Sequence, residues 1–596
     1  MKRVNVLANQ VAPPATPKEA EAIAGPAKAL STHHDSWGYK DTAFSFTEEG
    51  IFTLSGDRYL YSGKKFPSFY EFIQKYGVNK DVKTPAQKVT PVAPPRRNEE
   101  FILAVAKTNS VLSFKDQERL LASHGHTVQE IWALRFEQLD RVVDAVIYPT
   151  SHEEVERLVA LASQYNVVIQ PYGGGTTVSH SLLCSSKEER MIVAINVSRM
   201  NKIYKIDTSN MTVRLGAGCV GSHLEKQLNS VGFTLGHEPD SWEFSTVGGW
   251  IATRASGMKK NIYGNIEDIL IDIKIVTPSG TLSRRTDGIP RLSAGPDVLQ
   301  MVLGSEGTMG VITEAILKIR PNPKVKEYGS LVFPDFVSGL GFMREVARQR
   351  LQPASLRLMD NVQFQLGSSL KPEQSLFHTA FDKIIKFYVL NIKRFKGEDI
   401  CAVTMTFEAD SKEKAAAHEA TLNELAKTFN GFPGGSGNGI RGYFLTYVIA
   451  YLRDFGLNHQ FIAESFETSV PWDRVDTVIK ETKAQVKADC NKAGCEFEPM
   501  ISARVTQTYD SGACVYFYFG MVWKGLTDPV ATYSHIEDRA RECVMRNGGS
   551  ISHHHGVGKI RKKFLDQQIG SVGRLMIESV KKGVDPKNIF ANGNLV

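Results

Sequence analysis

Three adjacent histidines, His553, His554 and His555, stand between Ser552 and Gly556 near the C-terminal end of the chain. Imidazole changes charge close to neutral pH, so such a cluster suits proton transfer. An exposed polar loop is the competing reading. A metal site is not expected, because the run lacks His-x-x-x-His spacing and has no cysteine at ligand distance along the chain. Three consecutive side chains do not share one face of a regular element, so a site that uses them needs irregular backbone. The segment Val515-Tyr516-Phe517-Tyr518-Phe519 alternates as a strand, with Tyr516 and Tyr518 on one face and Phe517 and Phe519 on the other. A phenol lining a site relays protons; the same pattern also makes an aromatic core strand. Arg357 and Arg453 each interrupt a mostly apolar stretch. A guanidinium in such a place is a structural ion pair or an anion clamp.

A second constellation is made of small residues. The apolar run Val167–Gln170 leads into Pro171-Tyr172-Gly173-Gly174-Gly175-Thr176-Thr177. Successive glycines leave backbone N–H groups bare of side chains, which is how a loop holds a pyrophosphate, and the two threonines add hydroxyl donors. Further small-residue loops follow in order: one with Asp240, Ser241, Ser245 and Thr246, one with Thr253, Arg254, Ala255 and Ser256, and one with Glu306, Gly307, Thr308, Gly310, Val311 and Ile312. No Gly-x-Gly-x-x-Gly opens a helix after the first strand, so the pattern is not the Rossmann type.

Taken together these loops resemble the vanillyl-alcohol-oxidase flavoprotein family. The resemblance implies an α+β fold, with a two-subdomain FAD-binding domain and an α+β substrate, or cap, domain. It also implies that the loop residues named above hold FAD. Some members tether the flavin through a His or Cys near the glycines. Here Val178 and Ser179 follow, and His180 and Cys184 stand a few residues on, so non-covalent FAD is expected. A flavin-dependent 2-hydroxy-acid dehydrogenase is the alternative activity that the same loops allow.

The segments His237–Ser241, Ala255–Asp268, Glu464–Ser469 and Arg504–Asp510, with the histidine run, narrow the resemblance to the ether-lipid-forming branch of that family. That branch replaces the acyl chain of 1-acyl-dihydroxyacetone phosphate by a long-chain fatty alcohol, releasing a fatty acid without net redox change. The flavin then serves as a carbon-binding electron sink. By this resemblance Tyr516 is the acid/base, assisted by His553, His554 and His555. Arg357 is a further residue needed for activity, and Arg453 clamps the substrate phosphate. Ser465 and Asp240 line the site, and Asp585–Phe590 closes near it. Phe377, Phe381, Phe387 and Tyr388 are candidates for an apolar channel, or ordinary core.

These residues must be positioned by a chain of 596 residues, enough for two or three domains. Val142–Tyr148 reads as a buried strand. Ser151 and Glu154 form a capping box that opens a helix through Ala162, and strands recur at 192–197, 212–216, 268–276 and 311–319. After about residue 323 longer amphipathic stretches appear, at 411–427 and 472–492. The expected division is an N-terminal extension over 1–98, FAD binding over 99–322, a cap over 323–545 and a returning segment over 546–596. The first 35 residues read as a mobile tail, and 84–97 as a proline-rich connector.

The net charge of +7, from 71 basic and 64 acidic residues, suits anionic ligands or an anionic membrane surface and is too weak for nucleic acid. Seven cysteines without a C-x-x-C pair argue against a disulfide framework. Arg3–Val11 resembles the N-terminal peroxisomal nonapeptide, with Val11 departing at its last position. The expected location is therefore the lumen of a peroxisome or glycosome, peripheral to the membrane; the basic run Lys559–Lys563 reads as a solvated helix face or, alternatively, as a contact for anionic lipid headgroups. A homodimer is compatible with the sequence, which sets no oligomeric state.

Overall fold

The computed structural model describes residues 32–596 apart from 285, 287, 374–390, 392, 591 and 592. The nonapeptide segment and Phe377, Phe381, Phe387 and Tyr388 lie outside the described residues.

Two sheets build the first half. Ala145–Tyr148 and Val168–Tyr172 flank Ile192–Asn196 in parallel, and Val111–Ser113 adds an antiparallel edge. The crossover between the first two is the helix His152–Gln164, whose Val155, Leu158, Val159 and Ala162 are buried. Ser151 caps it by accepting from Glu154 N at 3.3 Å. The reciprocal half of the expected capping box is replaced: the Glu154 carboxylate accepts from Thr150 N at 2.8 Å instead. The second sheet is antiparallel, in the order Gly280–Leu282, Leu270–Thr277, Val311–Lys318, Thr212–Gly216, Ile203–Asp207. Its inner residues Val213, Leu215, Ile273, Ala315 and Leu317 pack on the helices Gly221–Ser230 and Val247–Thr253. The strands anticipated in this region all form.

A seven-stranded antiparallel sheet dominates the second half, in the order Phe432–Pro433, Val325–Phe333, Cys401–Ala409, Ser355–Met359, Met500–Thr508, Gly512–Val522, Phe461–Pro471. Its two faces differ, as strand alternation requires. Leu356, Leu358, Val403, Val505, Phe466, Phe517 and Phe519 sit in the largest core cluster with residues of the helices Phe336–Arg348, Lys412–Lys427, Val475–Lys492 and Pro529–Arg546. Full burial of one aromatic or aliphatic side chain stabilises by about 1.5–3 kcal/mol, so this one-sided cluster fixes the sheet's orientation. Arg357, Arg504, Tyr516 and Tyr518 occupy the other face, toward the flavin-type sheets.

Residues 32–98 are more than a tail and connector. Phe44–Phe46, Phe52–Leu54 and Lys65–Phe66 form a small sheet, followed by the helix Phe69–Gln74. Phe44, Phe52, Phe66 and Phe69 bury against Phe444, Val448, Tyr451 and Phe455 of the long helix Ser436–Leu457. The sequence reading missed this because the strands are short and their partners lie far along the chain.

Candidate flavin-binding site

One cavity of about 370 Å³ lies between the seven-stranded sheet and the two smaller sheets. Pro171 through Thr177 line it, together with Asp240, Ser241, Ser245, Thr246, Thr253, Ala255, Ser256, Glu306, Gly307, Gly310, Val311 and Ile312. The glycines are required by close packing as well as by open amides. A Cβ on Gly174 would meet Phe244 O at 2.1 Å, and one on Gly173 would meet Thr246 Oγ1 at 2.3 Å. Gly175 has φ +72°, in the left-handed region that glycine tolerates. The Gly173–Gly175 and Phe244–Thr246 loops therefore press together, and Ser241 Oγ donates to Thr176 Oγ1 at 3.3 Å. Such a cradle of bare amides and hydroxyls fits the phosphates of FAD.

Two expected flavin contacts are placed elsewhere. Arg254 is a left-handed helix cap whose side chain is half exposed near Glu267. Thr308 is fully buried and donates to Ser305 O at 2.7 Å within its own turn. Glu306 reaches the cavity, yet its carboxylate accepts from Val557 N and Gly558 N, each at 2.6 Å. It thus ties the third glycine loop to the histidine run. His180 and Cys184 do not line the cavity.

On the opposite wall, the Tyr516 phenol oxygen lies 3.0 Å from Ser465 Oγ and 3.1 Å from His555 Nε2. Burial pushes this phenol well above its ordinary pKa and pushes His555 well below its own. The histidine loop is irregular, as three consecutive site histidines require. Its scaffold is Glu467, a fully buried carboxylate that sequence reading did not single out. Glu467 accepts from Ser552 Oγ at 2.7 Å and His555 N at 2.9 Å, and also from His553 N. Glu467 pairs with Tyr516 across the sheet, so one strand register places phenol and scaffold together. Its signal in the sequence was the strand alternation shared with Ser465.

The three histidines divide. His554 and His555 line the cavity. His553 turns away, with Nε2 at 2.6 Å from the Tyr509 hydroxyl and Nδ1 at 2.9 Å from His554 Nδ1. Burial holds His553 down to about 3. The fold also brings Cys514 to this pair, with ligand atoms of Cys514, His553 and His554 within 4.8 Å of one another. The linear spacing that argued against metal ligands carried no trace of that proximity.

Arg453 reaches the cavity wall with its guanidinium already engaged. Nε and Nη2 donate to Asp454 Oδ1 at 3.0 and 2.8 Å, and Nη1 donates to His126 O at 2.5 Å. Asp454 Oδ2 in turn accepts from Trp37 N at 2.5 Å. This ion pair anchors the N-terminal segment, while Arg453 itself still lines the cavity. Arg357 lines the cavity and donates from Nη1 to Thr446 Oγ1 at 2.7 Å. Asp585–Phe590 lies behind the site. Ile589 and Phe590 are buried beside the glycine-loop strand, and Ile169 N donates to Ile589 O at 2.6 Å.

The fold and these loops define an FAD-binding protein of the linked-oxidase class. Residues 143–285 match the FAD binding domain model, and residues 322–595 match the model for the C-terminal domain of FAD linked oxidases. The chain is 45% identical over 566 residues, 94% of each protein, to the alkyldihydroxyacetonephosphate synthase of Caenorhabditis elegans. A solved structure of alkyldihydroxyacetonephosphate synthase superimposes with a TM-score of 0.80 at 29% identity, covering 94% of this chain and 99% of that one. The chain belongs to the alkyldihydroxyacetonephosphate synthase family. The hydroxy-acid alternative has only distant relatives, such as the glycolate oxidase subunit GlcD of Bacillus subtilis at 22% identity over 77% of this chain.

Proposed function

We propose that this chain exchanges the acyl group of 1-acyl-dihydroxyacetone phosphate for a long-chain fatty alcohol, forming 1-alkyl-dihydroxyacetone phosphate and a fatty acid. The observation that carries the reading is the Tyr516–His555 pair facing the glycine-loop cradle across one cavity. FAD, bound without a covalent tether, supplies an electron sink at the substrate's first carbon. The chain's own groups position and move protons. The alcohol exchange is tested by supplying labelled long-chain alcohol in the absence of any electron acceptor.

A buried phenol is a weak base by itself. His555 supplies the acceptor. Its Nδ1 makes no hydrogen bond and lies 3.6 Å from Glu467 Oε1, whose negative charge favours a proton on the ring as His555 Nε2 accepts one. As Tyr516 takes the proton from the substrate's first carbon, its phenolic proton passes to His555 Nε2. The reverse path returns it when the alcohol has added. Ser465 holds the phenol in line through the second hydrogen bond. His554 borders the same space, and His553 with Tyr509 orients it from behind.

An apolar arm of the cavity suits the two hydrocarbon chains. Phe69, Phe72, Ile73, Leu366, Phe455 and Phe461 line it. Half of these come from the N-terminal segment, which makes that segment part of the substrate site.

Peripheral membrane contact fits the same reading. Val572, Leu575 and Met576 are exposed at helical spacing beyond the break at Gly570 in Leu565–Val584, Ile569 is exposed just before that break, and Lys562, Lys563 and Arg574 lie close to them in sequence. No helix among the described residues is long and apolar enough to cross a membrane. The lumen of a peroxisome or glycosome is the proposed location, supported by the Arg3–Val11 segment.

A further inference from the structure

Cys514 stands two residues before Tyr516 in the strand Gly512–Val522, so strand alternation turns both side chains to the same face. It is fully buried and pairs in register with Ser469 on one side and Gln507 on the other. The histidine loop packs against this end of the strand and brings His553 and His554 to the thiol, with ligand atoms of the three within 4.8 Å of one another. The surrounding hydrogen bonds fix which atoms face inward. Gln507 Nε2 donates to Ser256 Oγ and to Gly257 O, both at 3.0 Å, so its Oε1 is left to accept. The Tyr509 hydroxyl gives its one hydrogen to that oxygen at 2.9 Å, and it therefore accepts from His553 Nε2–H at 2.6 Å. His553 Nδ1 is then a lone pair, aimed at His554 Nδ1 2.9 Å away, and His554 Nδ1 carries the proton between them.

A histidine whose outer nitrogen is held by a hydrogen bond, with its inner lone pair aimed at a second imidazole and a thiol, has the build of a metal ligand. We propose that Cys514 Sγ, His553 Nδ1 and His554 Nδ1 form a site for a zinc-class divalent cation, and that its occupation stops the transfer reaction. Thiolate and imidazole select such an ion over magnesium or calcium, which take oxygen ligands. Bond lengths of about 2.0–2.3 Å at a tetrahedral centre set the ligand atoms about 3.3–3.6 Å apart, so closing the site takes side-chain shifts of about 1 Å. Binding releases the Cys514 thiol proton and moves the His554 proton from Nδ1 to Nε2; both imidazoles stay neutral and the thiolate offsets one charge of the metal. Glu467, which accepts from the N–H groups of His553 and His555, adds negative charge behind the loop. His554 lines the cavity, which gives the ion its entry path, and its ring is stacked with that of Tyr516, with centroids 5.8 Å apart. A bound ion fixes the His554 ring against the phenol and removes the freedom of the loop to move with the substrate.

The probe is zinc chloride, added to the FAD-loaded full chain. Equilibrium dialysis should find stoichiometric zinc that a chelator removes and excess magnesium does not displace. X-ray absorption at the zinc edge should show sulfur and imidazole nitrogen among its ligands. Cys514 does not line the cavity, so Cys514→Ala is expected to keep the wild-type rate of alkyl exchange without zinc, and to keep it at zinc concentrations that silence the wild type. Tyr509→Phe removes the hydroxyl that orients His553 and should weaken zinc binding by about 10–100-fold. Flavin content and the thermal midpoint verify that each variant is folded. Absence of stoichiometric zinc on the folded wild type overturns the proposal. So does equal inhibition of wild type and Cys514→Ala, which would place the inhibitory ion on other groups. The inhibition readout rests on the acyl-exchange reading and the dialysis does not. A wild type that forms no ether, yet binds zinc that Cys514→Ala loses, would sink that reading and support the metal site.

Discussion

The phenol of Tyr516 and the imidazole of His555 meet at 3.1 Å although they come from separate parts of the fold, a central sheet strand and the C-terminal loop. Glu467 is the reason they meet. It stands opposite Tyr516 in the sheet register and binds the backbone N–H of His555. The contact converts a sheet position into a proton path.

Tyr516→Phe removes the proton-carrying oxygen and keeps the ring. Alkyl exchange is expected to fall by about 10²–10⁴, the usual worth of a general acid–base group, with flavin content unchanged. His555→Gln should fall by a comparable factor. Steady-state rates on flavin-loaded protein check both, and a Tyr516→Phe variant with wild-type turnover would remove the phenol from the mechanism.

Glu467→Ala leaves several loop N–H groups without their acceptor. Each lost partner of a buried polar group costs about 1–3 kcal/mol, so the thermal midpoint should drop and the loop should open to protease. Turnover should fall even though Glu467 touches no substrate. Limited proteolysis near Ser552–Gly558 reads the loop directly.

Acid should destabilise the fold through the same loop. Native His553 stays neutral down to about 3 and native His555 is held well below its ordinary value, while an unfolded histidine takes up a proton below about 6.5. Between these limits the unfolded chain binds more protons, so stability is full above about pH 6.5 and is lost as pH falls. Near pH 5 the loss is about 2 kcal/mol per histidine. Thermal midpoints across pH 7 to 5 should slope less in a His553→Gln, His555→Gln double variant; equal slopes would argue against neutral native histidines.

Gly174→Ala drives a methyl group into the Phe244 carbonyl. Relieving that clash moves one of the two pressed loops, at about 1–3 kcal/mol. The expected result is a folded chain with much reduced flavin absorbance relative to protein. Full flavin content in Gly174→Ala would mean that the loops do not form the cradle.

Val572→Asp with Leu575→Asp places charges on two side chains that are 69% and 59% exposed. Binding to vesicles containing anionic lipid, measured by sedimentation, should be lost while the thermal midpoint is unchanged. Retained binding would place the membrane contact on another surface.

The sequence carried the local parts of this picture well. The strand ending at Tyr172, the helix capped by Ser151 and the alternation through Phe519 all rest on neighbours in the chain, and all are found in the structure. What stayed hidden depends on partners far apart. The engagement of Arg453 needs His126, 327 residues away. The clamping of the histidine loop needs Glu306, about 250 residues from Val557. The role of Phe69 and Phe72 needs the helix Ser436–Leu457 to cross above them. A buried arginine reads the same in sequence whether it is paired or poised, so neither the ion pair of Arg453 with Asp454 nor the place of Arg504 in the cavity wall was legible there.

The central claim is acyl-for-alkyl exchange on a flavin-loaded chain without net redox change. Its most direct measurement incubates the purified, flavin-loaded protein with 1-acyl-dihydroxyacetone phosphate and labelled hexadecanol, with no electron acceptor present. Label is expected in an ether product, with one fatty acid released per ether formed and no net bleaching of the flavin. Flavin bleaching that requires an added acceptor for turnover, with no label in ether, would contradict the account and return the site to hydroxy-acid oxidation.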